Sequence, residues 1–191
     1  YLPLIKIVPL KNYRGFDRLL KDIARYDWIV FLSRYGAQYF FQRINKLNKD
    51  ARVFNKAKIA AIGDSTRNRL LDFGIVADLV PKNETSEGLL NEFKKTGIKG
   101  KRIFLPRSDI SDKGVEDALI RQGAIVQRAV AYRNIVPCDL PDLDLNFFDE
   151  VRFSSPSAVR NFARRYASLP EKVKVSCIGE VTGRETKKWH L

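Results

Sequence analysis

Apolar and polar positions follow two rhythms along this chain. Short apolar runs at residues 28–32, 59–62, 76–80, 102–105, 124–132 and 151–154 read as buried strands. Between them, apolar residues recur three and four apart, the spacing of an amphipathic helix. Such stretches cover residues 16–26 (Leu19, Leu20, Ile23), 37–44 (Ala37, Phe40, Phe41, Ile44), 64–73, 87–95, 111–122 and 158–162 (Ala158, Val159, Phe162). Strands alternating with helices of about ten residues predict a parallel sheet with right-handed crossovers. Residues 2–10 alternate loosely and carry Pro3 and Pro9, which predicts an edge or connecting segment. Thr85 reads as a helix N-cap and Gly74 as a helix stop. Residues 45–55 read as a polar surface connection.

One pattern occurs twice. YDWIVFLSRYGAQYF, from Tyr26, lies over FDEVRFSSPSAVRNF, from Phe148. With Asp27 set on Asp149, Phe31 falls on Phe153, Ser33 on Ser155 and Phe40 on Phe162. A second pair follows in the same order: KIAAIGDST at 58–66 and KVSCIGEVT at 174–182. Two ordered blocks argue for a duplicated unit. Each block has the same grammar of strand, sharp turn and helix. Ser33 and Ser155 sit where an N-cap hydroxyl belongs, and Pro156 suits a first helical turn. PCDLPDLD at 137–144 is a proline-punctuated acidic link, and a domain boundary is expected near it. The first copy continues past its second block through further strands, whereas the second copy stops at His190-Leu191. The chain is therefore expected to be one complete domain plus part of another.

Charge and cysteine content narrow the possible partners. The 35 Lys+Arg against 22 Asp+Glu give a formal net charge of +13, which favours an anionic partner. These basic residues are spread along helices, without a zinc-finger, RNP or helix-turn-helix pattern, so nucleic acid is not the expected partner. No apolar run reaches the roughly 18 residues of a membrane span. Cys138 and Cys177 form no disulfide framework or zinc site, and a reducing, cytoplasmic setting fits them. Neither G-x-G-x-x-G, a P-loop nor G-x-S-x-G is present, so nucleotide binding and serine hydrolysis have no motif behind them.

An ordered set of short motifs resembles the uroporphyrinogen-III synthase family. It comprises FDEVRFSSPSAV, Ile178-Gly179 with Thr182, Ile62-Gly63 with Thr66, Leu105-Pro106-Arg107 with Asp109, TSEGL at 85–89 and Val130-Ala131-Tyr132-Arg133. The resemblance implies two flavodoxin-like α/β domains joined by a two-stranded ladder, one inserted in the other. Residues 1–10 and 133–144 would be the connectors, 11–132 the inserted domain and 145–191 part of the second. The pattern also departs from the family: Leu32 stands where threonine is common, and Glu180-Val181 replaces Pro-Thr.

The family closes hydroxymethylbilane, a linear polycarboxylate tetrapyrrole, into uroporphyrinogen III with loss of water and inversion of the last ring. It uses no metal or cofactor, and its precedent is a monomer. By resemblance Tyr132 is the candidate proton donor to the leaving hydroxyl. Ser33, Gly63, Thr66, Arg107, Ser155, Ser157, Gly179 and Thr182 are candidate substrate ligands. They fall after strand ends at helix starts, where open α/β sheets bind ligands and free N–H groups suit carboxylates. Plainer readings remain for the same residues. Tyr132 could be a packing residue near a hinge, Ser33, Ser155 and Thr66 structural caps, and Arg107 a solvated turn residue. A non-catalytic clamshell binding a polycarboxylate and a nucleic-acid module are the alternative functions.

Overall fold

The computed structural model describes residues 1–54 and 56–191. Contacts divide them into two compact units, one of residues 7–133 and one of residues 1–6 with 134–191.

The larger unit is built on a sheet whose strands run in the order β1-β5-β4-β2-β3. These are β1 (Lys6–Pro9), β2 (Trp28–Phe31), β3 (Lys58–Ala61), β4 (Arg102–Ser108) and β5 (Ile125–Ile135). β2 pairs parallel with β3 and with β4, and β4 pairs parallel with β5. Successive side chains of a strand point to opposite faces, so a strand covered on both sides must be apolar throughout. β2 obeys this rule. Ile29 and Phe31 join one core with Phe104, Ala129 and Ala131, while Trp28 and Val30 join another with Ile103 and Leu105.

The first core takes its cover from α1 (Arg14–Leu20), α2 (Arg34–Lys46) and α3 (Asp64–Leu71). The second is covered by α4 (Ser86–Thr96) and α5 (Gly114–Arg121). Phe31, Phe40 and Phe104 have no exposed surface. Burying each contributes roughly 2–3 kcal/mol.

Some sequence expectations are corrected. Residues 76–80 do not form a strand; a single bridge joins Leu79 to Ala60. The Asp78 carboxylate accepts the Ile59 N–H at 2.7 Å and takes a place that a strand partner would occupy. The helix expected over 16–26 ends at Leu20. A 3-10 turn at Ile23–Arg25 follows, and Tyr26 is extended with its ring edge-on against Phe104. The helix expected from 111 starts at Gly114, after the Asp112 carboxylate has accepted the Gly114 N–H. In the connection at 45–55, Asn45 and Lys46 extend α2, and Ala51–Phe54 form a turn that buries Phe54. Asn55 lies outside the described residues.

The smaller unit repeats the larger one's β2-α2-β3-α3 pattern. It comprises β6 (Glu150–Phe153), α6 (Pro156–Tyr166), β7 (Lys174–Cys177) and α7 (Glu180–Lys188). β6 and β7 pair parallel with Glu150 opposite Lys174 and Phe153 opposite Cys177. Trp28 opposite Lys58 and Phe31 opposite Ala61 is the same register in the first copy. Phe153 and Phe162 hold the buried places of Phe31 and Phe40. Among the described residues, no helix is long and apolar enough to cross a membrane.

Candidate functional site

The chain leaves β2, turns through Leu32 and Ser33 into α2, and returns to β3 on one side. It then crosses to β4 on the other side of β2. Strand order therefore reverses between β2 and β4, and the crevice beyond their carboxyl ends is where such sheets bind ligands. A cavity of about 210 Å³ opens there, lined by Leu32, Ser33, Pro106, Arg107, Ser108, Ser111 and Tyr132.

Local structure sets each of these side chains. Ser33 is extended, and its Oγ accepts the Gly36 N–H at 3.0 Å, capping α2. The same Oγ lies 3.0 Å from the Tyr132 hydroxyl. A β-carbon on Gly36 would stand 3.1 Å from the Pro106 carbonyl oxygen, tighter than an ordinary contact by a few tenths of an ångström. The first turn of α2 thus presses directly on the end of β4. The β4–β5 register slips between Arg107 and Ser108, bringing Ser108 opposite Tyr132. Such irregularities re-aim side chains beside sites. The Asp109 N–H then donates to the Tyr132 carbonyl at 3.1 Å.

Tyr132 is 8% exposed, with its ring stacked on Tyr39 at 5.7 Å. Burial raises its pKa above the usual phenol value, while the Ser33 hydrogen bond and the Arg107 charge pull it down. Arg107 is also largely buried, and burial lowers its own pKa. Its Nε donates to Ser111 Oγ and its second nitrogen to the Asp112 carbonyl, both at 3.1 Å. It is a held residue, not the solvated turn residue of the plainer reading.

The structure thus brings Ser33, Arg107 and Tyr132 to one cavity. Gly63 and Thr66 begin α3 in the same unit. Gly63 caps the helix, and a β-carbon there would meet Glu84 Oε2 at 2.2 Å, so the Glu84 carboxylate lies over this helix start. Thr66 is buried in the first turn of α3, at 3% exposure. In the smaller unit Ser155 Oγ accepts the Ala158 N–H at 3.2 Å and lies 3.3 Å from Ser157 Oγ. Gly179, exposed, caps α7, while Thr182 is buried. The departure at Glu180 is absorbed along its own helix, where its carboxylate accepts from Arg184 at 2.7 Å. A groove of about 460 Å³ in this unit is lined mainly by apolar residues, including Leu4, Phe148, Phe153 and Phe162. Glu150, Arg152 and Ser154 are the polar residues among its lining.

Comparison with known proteins places this arrangement. The family model for uroporphyrinogen-III synthase HemD matches residues 1–191. The chain belongs to the uroporphyrinogen-III synthase family. A porphyrin biosynthesis protein HemD of Ruminiclostridium josui is 24% identical across 99% of this chain and 39% of its own length. A uroporphyrinogen-III synthase of Synechococcus elongatus is 29% identical across 87% of this chain and 65% of its own length. The chain therefore spans less than two thirds of each of these curated relatives. A solved uroporphyrinogen III synthase of Thermus thermophilus superposes with a TM-score of 0.69 at 20% identity, over all of this chain and 79% of that one. The Helicobacter pylori synthetase gives 0.69 at 16% identity, over all of this chain and 82% of that one. These structures share the α/β fold with a mostly parallel sheet.

The residues that sequence reasoning missed are Glu116 on α5 and Arg128 on β5, both packed behind Arg107. Their only sequence signal was a charge falling at an inward position of an amphipathic stretch.

Proposed function

We propose that the protein is a uroporphyrinogen-III synthase, a lyase that cyclises hydroxymethylbilane to uroporphyrinogen III. The observation that carries this reading is the Tyr132 hydroxyl, held by Ser33 in the switch-point cavity beside Arg107. Family membership and the net charge of +13 support it, the latter because the substrate is a polyanion.

A ligand pocket for a drug-sized molecule usually encloses about 300–1,000 Å³. The cavity, at about 210 Å³, suits one end of the bilane rather than the whole. In this reading the hydroxymethyl end enters it. The Tyr132 phenol gives its proton to the hydroxyl, the carbon–oxygen bond breaks with its electron pair on oxygen, and water leaves. Ser33 then turns its O–H toward the phenolate while its oxygen still accepts from Gly36. The cation left on the bilane is attacked by the last ring through its substituted carbon, giving a spiro intermediate. The older bond from that carbon to the neighbouring methylene then breaks. The methylene cation so formed is captured by the free α-carbon of the last ring, which closes the macrocycle with that ring inverted. The proton lost when the macrocycle forms returns to the phenolate. The closure is intramolecular from the start, so what the protein adds is orientation: holding the substituted carbon of the last ring against the cation removes the conformational search and selects the type III product.

We take the helix starts at Ser155 and Gly179, with Ser157 and Thr182 beside them, to offer N–H groups to substrate carboxylates, and the one at Gly63, with Thr66, to do so once the Glu84 carboxylate that lies over it has moved aside. We take residues 11–132 as an inserted flavodoxin-like domain, 1–10 and 133–144 as the two connectors, and 145–191 as part of a second domain. We take the enzyme to be a cytoplasmic monomer.

The test is the isomer assay. The protein is supplied with hydroxymethylbilane, the products are oxidised, and type I and type III porphyrins are separated by chromatography. Predominance of type III supports the proposal. Type I alone, at the spontaneous rate, overturns it.

A further inference from the structure

Behind the cavity lies a charge cluster. Glu116 is 6% exposed. Its Oε1 stands 3.3 Å from one Arg128 nitrogen and 3.8 Å from Arg107 Nε. Arg128 also donates to the carbonyls of Ser108 (2.9 Å) and Ser111 (3.0 Å) and to Ser111 Oγ (3.1 Å). Ser111 Oγ receives Arg107 Nε as well, and itself donates to the Ser108 carbonyl at 2.9 Å. One serine hydroxyl therefore ties both guanidiniums to the turn that follows β4. Two largely buried cations share one buried carboxylate, leaving one surplus positive charge among the buried groups, while the exposed Asp112 carboxylate also acts on Arg107. Such a cluster is poor as a stabilising device, because desolvation offsets much of the attraction and apolar packing would serve as well. The surplus has a direction. Arg107 lines the cavity with Tyr132, whereas Arg128 is not among its lining residues.

We propose that Glu116 and Arg128 are positioning residues of this site: they clamp the turn after β4 so that Arg107 stands as a fixed, surplus positive charge against the Tyr132 hydroxyl. This rests on the synthase reading, in which Tyr132 must give up a proton and carry a negative charge for part of the cycle. A fixed cation beside a buried hydroxyl favours that charge without rearrangement. The groups facing the phenol are Ser33, Tyr35 and Tyr39 from α2 and its cap, and Arg107 and Asp109 from β4 and its turn. Asp109 opposes the effect of Arg107 and stands 3.6 Å from Arg133 Nε. Arg107 is the cation acting on this hydroxyl, against burial and Asp109, which raise its pKa.

The two partners of one ion pair should act in opposite directions. Glu116→Gln removes the carboxylate charge and increases the surplus, so Tyr132 should titrate lower. Arg128→Met removes a cation and loosens the clamp, so Tyr132 should titrate higher. Each shift should be of the order of half to one pH unit. Ser111→Ala, at a half-buried turn position where folding is least at risk, releases both guanidiniums from their shared hydroxyl and should shift Tyr132 upward by less. Incorporation of fluorotyrosine brings the phenols into an accessible pH range, and 19F NMR then reads each midpoint, with Tyr132→Phe assigning the resonance. The basic limb of the pH–rate profile should move with the same signs. A merely structural cluster would lower the unfolding midpoint in all three variants and leave the Tyr132 titration unmoved; that result overturns the proposal. Because the titration needs no turnover, the two readings fail separately. Type III formation with unmoved midpoints removes the positioning role alone. Moved midpoints with type I product alone leave the electrostatic placement and remove the synthase.

Discussion

Ser33 makes two hydrogen bonds with one oxygen, and removing it should cost more than a helix cap. Ser33→Ala loses the bond to the Gly36 N–H at 3.0 Å, which is worth about 1 kcal/mol at an N-cap. It also leaves the Tyr132 hydroxyl without its 3.0 Å partner at a residue only 8% exposed. An orphaned buried hydroxyl costs roughly 1–2 kcal/mol. The sum is about 2–3 kcal/mol. Tyr132→Phe removes the hydroxyl but leaves the cap intact, so it should cost about 1 kcal/mol. The double variant has no hydroxyl left to orphan. It should therefore be less destabilised than the sum of the singles, by about 1 kcal/mol. Urea unfolding of the four proteins closes this cycle, since each gives a free energy from its midpoint and slope. Additivity to within about 0.3–0.5 kcal/mol would refute the reasoning, because it would show that the two hydroxyls do not interact.

Three further outcomes are expected. Phe104→Ala empties a fully buried site that packs against Phe16, Tyr26 and Phe40, and should cost about 3–5 kcal/mol in the same urea assay. Asp27 accepts from the Arg102 N–H at 2.8 Å and from Lys101 Nζ at 3.0 Å, and its pKa is lowered, chiefly by the Arg102 bond. The unfolded chain thus binds the proton more readily, so this contribution is complete above about pH 4 and is lost below it; Asp27→Asn should flatten that part of the stability–pH curve. Burial raises the Tyr132 pKa, and an acid must be protonated to act, so the rate should hold through neutral pH and fall only above about pH 10. A fall below about pH 8 would contradict that assignment.

The helices and strands were legible where a period ran uninterrupted. The β2 run is apolar at every position because both faces of that strand are covered. The repeated Ser33 and Ser155 were legible as caps because a serine hydroxyl directly before a helical pattern can accept a free N–H of its first turn, as both do. The failure at 76–80 has a local cause: Asp78 turns its carboxylate onto the Ile59 N–H, and no apolar pattern signals such a bond. Glu116 and Arg128 were missed for a related reason. Their meaning lies in a meeting of α5, β5 and the turn after β4, and a charge at an inward position of its own segment does not name the partners it meets. Arg107 was found by its neighbours in sequence, but its burial and its two held donors appear only in three dimensions.

The central claim is that Tyr132 delivers the proton that removes the hydroxyl. The most direct measurement is the rate of type III formation at saturating hydroxymethylbilane by Tyr132→Phe beside the wild-type protein, with unfolding midpoints confirming that both are folded. Loss of a general acid should lower the rate by about 10²–10⁴-fold. A Tyr132→Phe protein that forms type III at the wild-type rate would contradict the account.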